Sequence, residues 1–245
     1  MSLEIKGLSV QASGKDVVTN VSFSLDPGKV TAILGSNGAG KSELVLGIAG
    51  VMPISAGTVL IEGSDITGKS PDIVRSSGVA AVPEGHKVLT QLSVDENLRA
   101  AGSLRWADLE ENLRKTYERF PELAERKGQL AGTLSGGQQQ MVALGHALMS
   151  APNYLIIDEM SLGLAPLIVK RLFRVVEELQ AQGVGIVLIE QFTDLALNLA
   201  GHAIVLRSGR CQYSGSAKTL LANPDLLDEA YFGAGHHRAG TAIGA

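Results

Sequence analysis

The sequence predicts an α/β fold in which a parallel sheet is covered by helices on both faces. Three apolar runs are typical of buried parallel strands: VTAIL (30–34), YLIIDE (154–159) and GIVLIE (185–190). Segments with a helical spacing of apolar residues follow the first two runs, SELVLGIAGVM and LAPLIVKRLFRVVEELQAQG. This alternation of strand and helix is the pattern of a sheet buried between two helical layers.

Short alternating strands are also predicted in residues 1–29 and 57–66, with EGSD (62–65) as a turn. They predict a smaller antiparallel sheet beside the parallel one. The chain has 245 residues, of which 45% are hydrophobic. That is enough to bury one large core, or a main domain with an inserted smaller one, and we expect a single compact unit.

Charge and cysteine content exclude two classes of function. The net charge is −4, from 21 basic and 25 acidic residues that are interspersed along the chain. Because no basic face is indicated, we expect no nucleic acid among the main partners. Cys211 is the only cysteine, which excludes an internal disulfide and a multi-cysteine metal site and fits a reducing compartment.

The N-terminal segment MSLEIKGLSV lacks a basic region followed by an apolar stretch. We therefore expect no signal peptide and a cytoplasmic location. No run approaches the roughly 18 apolar residues needed to span a bilayer, so membrane association would require a partner protein.

A glycine-rich loop directly follows the first parallel strand, in the segment GSNGAGKSE (35–43). It fits the pattern G-x-x-x-x-G-K-[ST], in which backbone N–H groups and a helix N-terminus converge on phosphate oxygens. Lys41 would neutralise the β- and γ-phosphates, and Ser42 would bind magnesium. The alternative is a glycine turn without a ligand. The candidate nucleotide-binding residues are Gly35, Ser36, Asn37, Gly38, Ala39, Gly40, Lys41, Ser42 and Glu43.

The run YLIIDE ends in two acidic residues, Asp158 and Glu159. In a phosphate-loop protein, Asp158 would hold magnesium directly or through water, and Glu159 would act as general base on the attacking water. The alternative is a pair of exposed turn carboxylates.

A third motif, LSGGQ, precedes a segment in which Met141, Leu144 and Leu148 repeat with helical spacing. Ser135 stands at the predicted N-cap, where helix N–H groups are free to meet an anion. Ordinary helix capping is the alternative.

The order of these three motifs resembles that of ABC-type ATPase subunits, and the resemblance covers nearly the whole chain. It implies the phosphate-loop NTPase fold of an ABC-type ATPase domain, with ATP and Mg²⁺ as cofactors. In that family the LSGGQ segment, called the signature segment below, completes the ATP site of the opposite subunit in a head-to-tail dimer. The residues so implied are Ser135, Gly136, Gly137 and Gln138.

Several local strings resemble the second ATPase subunit of branched-chain amino acid importers: VPEG, LSVDENL, SLGLAP, LIEQ and LLANPDLLDEAYFG. Importers of urea or short amides are similar enough to stay as alternatives. The resemblance implies a second ABC ATPase subunit, identical or different, and membrane-spanning permease subunits as partners. A solute-binding protein would be an indirect partner, and the chain would lie at the inner face of the cell membrane through the permease.

The resemblance also implies a single ABC ATPase domain over residues 1–245. We expect a core at about 1–85 and 151–232, a helical subdomain at about 86–150 that contacts the permease, and a flexible tail at 234–245. Within the helical subdomain, Ser93 and Glu96 predict a capping box, and an apolar stripe from Leu109 to Phe120 predicts a helix that Pro121 stops.

Four positions differ from the common family pattern. Gln191 stands where most members carry a catalytic histidine that senses the γ-phosphate, and Glu84 replaces a glutamine that contacts magnesium; the branched-chain type is similar to this chain at both. Glu43 replaces a hydroxyl residue near the α-phosphate. Ala12 and Ser13 occupy the place of an aromatic residue that stacks on adenine.

Two alternatives stay open, and the altered pocket favours the first. One is a regulatory subunit whose own nucleotide site is weakened while its signature segment serves a partner. The other is an ABC ATPase not linked to transport.

Overall fold

The computed structural model describes residues 2–233, except for the side chains of Leu104 and Arg105. The tail that we predicted to be flexible, 234–245, lies outside the described residues.

The described residues form two sheets. The strands are β1 (Leu3–Ala12), β2 (Lys15–Leu25), β3 (Val30–Leu34), β4 (Ile54–Ile61), β5 (Ser64–Asp65), β6 (Val79–Val82), β7 (Tyr154–Asp158), β8 (Gly185–Ile189), β9 (His202–Arg207) and β10 (Arg210–Ser216). A four-stranded antiparallel sheet has the order β2-β1-β4-β5, and a six-stranded sheet has the order β10-β9-β3-β8-β7-β6. In the larger sheet all neighbours are parallel except the hairpin of β9 and β10. The predicted α/β class, with a parallel core sheet and a separate antiparallel sheet, is confirmed.

Within residues 2–233, ten α-helices connect and cover these strands. They are α1 (Lys41–Ile48), α2 (Pro71–Ser76), α3 (Val94–Gly102), α4 (Leu109–Arg119), α5 (Pro121–Ala124), α6 (Gly136–Leu148), α7 (Pro166–Ala181), α8 (Thr193–Leu199), α9 (Ala217–Ala222) and α10 (Pro224–Phe232). Two short 3₁₀ segments, Ser103–Asp108 and Ala131–Thr133, lie between the helices α3 to α6. Among the described residues, none of these helices has the length and apolar composition needed to cross a bilayer.

The helices between β6 and β7 follow local signals in the sequence. The Ser93 side chain accepts a hydrogen bond from the Glu96 backbone N–H, and the Glu96 carboxylate accepts one from the Ser93 backbone N–H, so the predicted capping box starts α3. Helix α4 ends at Arg119, just before Pro121, which takes the first position of α5. Its apolar stripe is buried, as expected.

Both faces of the parallel sheet are buried. In β3, Ala32 and Leu34 pack into one core cluster with helices, while Ile33 points to the other face. In β7, Ile157 packs into the same cluster as Ala32 and Leu34, and Ile156 packs into the cluster of Ile33. Successive residues of a strand point to opposite faces, so unbroken apolar runs require cover on both sides. Helices α3 to α7 cover one face, and the antiparallel sheet with α1 covers the other.

Candidate functional site

The glycine loop joins the end of β3 to the start of α1. Gly35, Gly38 and Gly40 have φ angles of +150°, +74° and +99°, which favour glycine over any residue with a Cβ. At Gly35 a Cβ would also lie 2.3 Å from the carbonyl oxygen of Leu206. The loop therefore turns tightly, and α1 begins at Lys41 with its first N–H groups free of side-chain caps.

Lys41 reaches back over this loop. Its ammonium donates hydrogen bonds to the carbonyl oxygens of Gly35 (3.0 Å) and Ser36 (3.1 Å). It also lies 3.8 Å from a carboxylate oxygen of Glu159, and both side chains are buried. The buried ammonium of Lys41 thus lies beside the loop whose backbone N–H groups are predicted to bind phosphate.

The two predicted acids lie where β7 ends, beside this lysine. Asp158 and Glu159 are 2% and 6% exposed, so they are not solvent-exposed turn residues. Burial raises the pKa of Asp158 to about 6, and a hydrogen bond from Ser42 opposes that shift. The Asp158 Oδ1 atom is buried without a hydrogen-bond partner, which leaves a ligand position open for a cation.

Ser42 and Asp158 therefore fit a magnesium ion by the chemistry of their donors, a hydroxyl and a carboxylate oxygen. The described residues hold no group of three or more His, Cys, Asp or Glu arranged to bind a metal by themselves. This fits Mg²⁺, which usually binds to one or two carboxylates and takes other ligands from phosphates and water.

Gln191 and Glu84 join the same site from neighbouring strands. Asp158 on β7 pairs with Ile189 on β8, which brings Gln191 next to Glu159. The Gln191 amide donates a hydrogen bond of 2.9 Å to the Glu159 carboxylate. Glu84 follows β6, the other neighbour of β7, and its charge adds to the raised pKa of Asp158.

These groups surround one open cleft of about 500 Å³. The structure brings together there the following predicted residues: Asn37, Gly38, Gly40, Lys41, Ser42, Glu43, Glu84, Glu159 and Gln191. Leu162, which the sequence analysis did not select, lines it too. Glu43 is half-buried and faces the cleft, so its carboxylate adds negative charge where a nucleotide would bind.

The signature segment does not line this cleft. Ser135 caps α6 through a reciprocal capping box with Gln138, and Gly136 lies against His86 and Leu164. Ser135 and Gly136 are exposed. Within one chain, the signature segment and the phosphate loop are therefore two separate candidate surfaces.

A buried carboxyl that the sequence analysis missed is Glu190. It is 1% exposed, accepts a hydrogen bond from the Ser161 hydroxyl, and keeps its Oε1 atom without a partner. Burial raises its pKa to about 7, with smaller contributions from Glu159 and Asp158. The available signal was a charged residue that ends the apolar run GIVLIE beside Gln191.

The hairpin that joins β1 and β2 turns at Ser13 and Gly14, both with positive φ. Strand β2 then passes the phosphate loop, since a Cβ on Gly40 would lie 3.0 Å from the Val17 carbonyl. Ala12 and Ser13 end β1 and begin this turn, at the position where the family carries an aromatic ring, so no ring is present there.

Fold and site together define a phosphate-loop nucleotide-binding protein. The comparisons with known proteins give the family: a sequence profile described as "ABC transporter" matches residues 18–161, more than half of the chain. The chain belongs to the ABC transporter family, and within it to the subunits that bind and hydrolyse ATP. The predicted resemblance is confirmed.

Similar proteins agree over most of the chain. It is 41% identical to the high-affinity branched-chain amino acid transport ATP-binding protein BraG of Pseudomonas aeruginosa, covering 87% of this chain and 92% of BraG. It is 33% identical to a probable branched-chain amino acid transport ATP-binding protein, LivF, of Archaeoglobus fulgidus, covering 84% and 88%. A solved ATP-binding cassette in its ADP conformation is 29% identical, with a TM-score of 0.80 and coverage of 93% and 98%.

Proposed function

We propose that this chain powers an ABC importer of branched-chain amino acids by binding and hydrolysing Mg-ATP in the cleft at Lys41. The observation that carries the proposal is the arrangement of Lys41, Ser42, Glu159 and Gln191 around that cleft. The names of BraG and LivF support the solute class. Urea or short amides stay as alternative solutes.

Binding would begin at the loop. Backbone N–H groups of residues 36–42 and the N-terminus of α1 attract phosphate oxygens, and Lys41 exchanges its two carbonyl partners for the β- and γ-phosphates. Ser42, Asp158 and Glu84 would hold Mg²⁺. The ion supplies neutralisation of phosphate charge and a fixed orientation of the phosphates.

Hydrolysis would depend on the Glu159 side chain. Its carboxylate accepts a proton from the attacking water, a role that suits a buried carboxylate held in place by a neighbouring donor. Gln191 provides that donor through the 2.9 Å hydrogen bond to Glu159. A glutamine can orient the carboxylate and also donate to a γ-phosphate oxygen, but it brings no positive charge.

The signature segment would serve a second ATPase subunit, identical or different, in a head-to-tail dimer. The exposure of Ser135 and Gly136 at the N-terminus of α6, away from the cleft, supports this role. Opening and closing of the dimer would pass motion to the permease subunits.

A groove between α2, β6 and α6 is the proposed permease contact. It measures about 330 Å³ and is lined mainly by apolar side chains, together with Arg75, Lys87 and His146. The positive charges of Arg75 and Lys87 favour a docking segment that carries a carboxylate. This contact would hold the chain at the inner face of the membrane and link it indirectly to a solute-binding protein.

The second candidate function is a regulatory subunit that binds ATP weakly in its own cleft. It is favoured because Glu43 lines the cleft and because Ala12 and Ser13 offer no ring for adenine. Replacing Glu43→Thr tests it. Tighter binding of Mg-ATP, by about tenfold or more, would support the weakened site, since it would remove a like charge near the phosphates.

Titration calorimetry with Mg-ATP, together with a phosphate-release assay, tests the main proposal. The full chain is expected to bind and hydrolyse Mg-ATP, and Lys41→Ala is expected to lose binding. Lys218→Ala removes an exposed lysine of α9 and is the matched control. No binding by the unchanged chain at millimolar ATP would contradict a functional own site and leave only the signature segment as its contribution.

A further inference from the structure

The side chain of His86 lies against α6, the helix that the signature segment begins. Its Nδ1 atom donates a hydrogen bond of 2.7 Å to the side-chain oxygen of Gln140, because an amide oxygen can only accept. The ring also lies beside Gly136, where a Cβ would be 3.6 Å from its Cδ2 and Nε2 atoms. Gly136 and Gln140 are four residues apart and share one face of α6. The imidazole therefore spans the first turn of this helix.

The backbone at His86 adopts an unfavourable conformation to make this contact. Gly85 and His86 have φ angles of +91° and +51°, and a left-handed conformation is costly for a residue with a Cβ. Such a conformation persists where the surrounding contacts fix it. The chain thus passes from Glu84, which lines the cleft, to the contact with α6 within two residues.

The hydrogen bond adds direction to a packing contact on the same turn of α6. A Cβ on Gly137 would lie 2.7 Å from the Ile168 side chain of α7, so this glycine packs closely against α7. Apolar packing has no preferred direction, whereas a hydrogen bond does. Gln140 is 1% exposed, and losing the His86 donor would leave its amide oxygen buried and unpaired.

We propose that His86 is a positioning residue for ATP hydrolysis in the partner subunit. Through Gln140 and Gly136 it holds the signature segment of its own chain in the orientation that meets a nucleotide bound by the other subunit. The effect on turnover rests on the role proposed above for the signature segment. The contact between His86 and α6 does not.

Hydrogen exchange on the full chain, without nucleotide, tests the contact independently of activity. His86→Ala and Gln140→Met each remove one side of the hydrogen bond, and each should speed exchange at residues 136–142 about 3- to 10-fold. The double variant should exchange no faster than the faster single variant, because both changes break one interaction. The control His202→Ala removes a 3.1 Å contact with Ser214 in the β9–β10 hairpin and should leave this segment unchanged. Additive effects, or unchanged exchange in His86→Ala, overturn the proposal.

A dimer with one working site tests the positioning role. Lys41→Ala disables the loop of one chain and Ser135→Ala the signature segment of the other, so one site joins the remaining loop and signature segment. Adding His86→Ala to the Lys41→Ala chain, which supplies the working signature segment, should lower phosphate release about 3- to 10-fold. Adding it to the Ser135→Ala chain, which supplies the working loop, should leave the rate unchanged.

The two placements separate positioning from a general loss of folding. A folding defect would act in both chains, so equal losses overturn the positioning role, as does a loss confined to the Ser135→Ala chain. The Kd of the His86→Ala chain for Mg-ATP should stay within about twofold of the unchanged chain, and a larger change would place His86 at its own cleft instead. If the mixture without His86→Ala releases no phosphate, the dimer of identical chains fails, and the exchange result alone decides on the His86 contact.

Discussion

Single residues at the carboxyl ends of β7 and β8 create a site that is rich in buried negative charge. Asp158, Glu159 and Glu190 are all less than 7% exposed, and Lys41 is the cation beside Glu159. Burial raises the pKa of Asp158 to about 6 and that of Glu190 to about 7. Both shifts mean that this end of the sheet is destabilised by full ionisation until a cation binds.

The pH dependence of stability in the Glu190→Gln variant tests whether this buried carboxyl keeps its proton in the folded chain. In the folded chain the Glu190 carboxyl keeps its proton up to about pH 7, whereas in the unfolded chain it loses its proton near its ordinary pKa of 4.5. The free energy of unfolding therefore falls as the pH rises from about 4.5 to about 7 and levels off just above pH 7. The free energy of unfolding of the nucleotide-free chain should drop by on the order of 1 kcal/mol between pH 6.5 and 8 because of this group. Urea titrations at the two pH values should show a smaller drop in Glu190→Gln, which keeps an acceptor for Ser161. Equal pH dependence in both proteins would contradict the assignment.

Linear spacing made some site residues predictable and left others hidden. Lys41, Ser42 and the pair Asp158–Glu159 stand at fixed positions after apolar strands, so their chemistry can be predicted from a short stretch of sequence. Glu190 also ends an apolar strand, but only the pairing of β8 with β7 places it beside Asp158 and Glu159.

At the scale of elements, α3 and α6 begin in the same way. Ser93 with Glu96 and Ser135 with Gln138 form two reciprocal capping boxes. Both are visible in the sequence because the contact spans only three residues. The hydrogen bond that Arg171 on α7 donates to Glu122 on α5 joins residues 49 positions apart, and no local pattern could predict it.

The two capping serines separate a structural from a functional role. Ser93→Ala and Ser135→Ala should each cost about 1 kcal/mol of stability, the usual effect of removing an N-cap hydroxyl. Only Ser135→Ala should also lower the ATP hydrolysis rate of the assembled dimer. Denaturant titration and phosphate release on both variants check this, and equal hydrolysis rates would argue that Ser135 is a cap and nothing more.

At the scale of the whole molecule, one chain carries two separate candidate surfaces. The cleft lies at the carboxyl ends of β3, β7 and β8, while the signature segment opens to solvent at the start of α6. The motif order predicted this class of fold well. The sequence could not show the separation, which depends on how helices α3 to α6 pack on the sheet.

A mixing experiment tests the head-to-tail dimer for two identical chains. Lys41→Ala disables the loop and Ser135→Ala the signature segment, so each variant alone should hydrolyse ATP slowly. In a mixed dimer one site combines the intact loop of one chain with the intact signature segment of the other. An equal mixture should therefore recover up to about a quarter of the original activity, as random pairing predicts. Absence of any recovery would contradict pairing between copies of this chain.

Phosphate release by Glu159→Gln tests the central claim most directly, with Glu177→Gln on the exposed face of α7 as its matched control. Loss of the general base should slow hydrolysis by about 100-fold or more, while calorimetry should find Mg-ATP bound about as tightly as before. Glu177→Gln should behave like the unchanged chain. If Glu159→Gln hydrolysed ATP within about threefold of the control, the cleft beside Lys41 would not be the site at which this chain cleaves ATP.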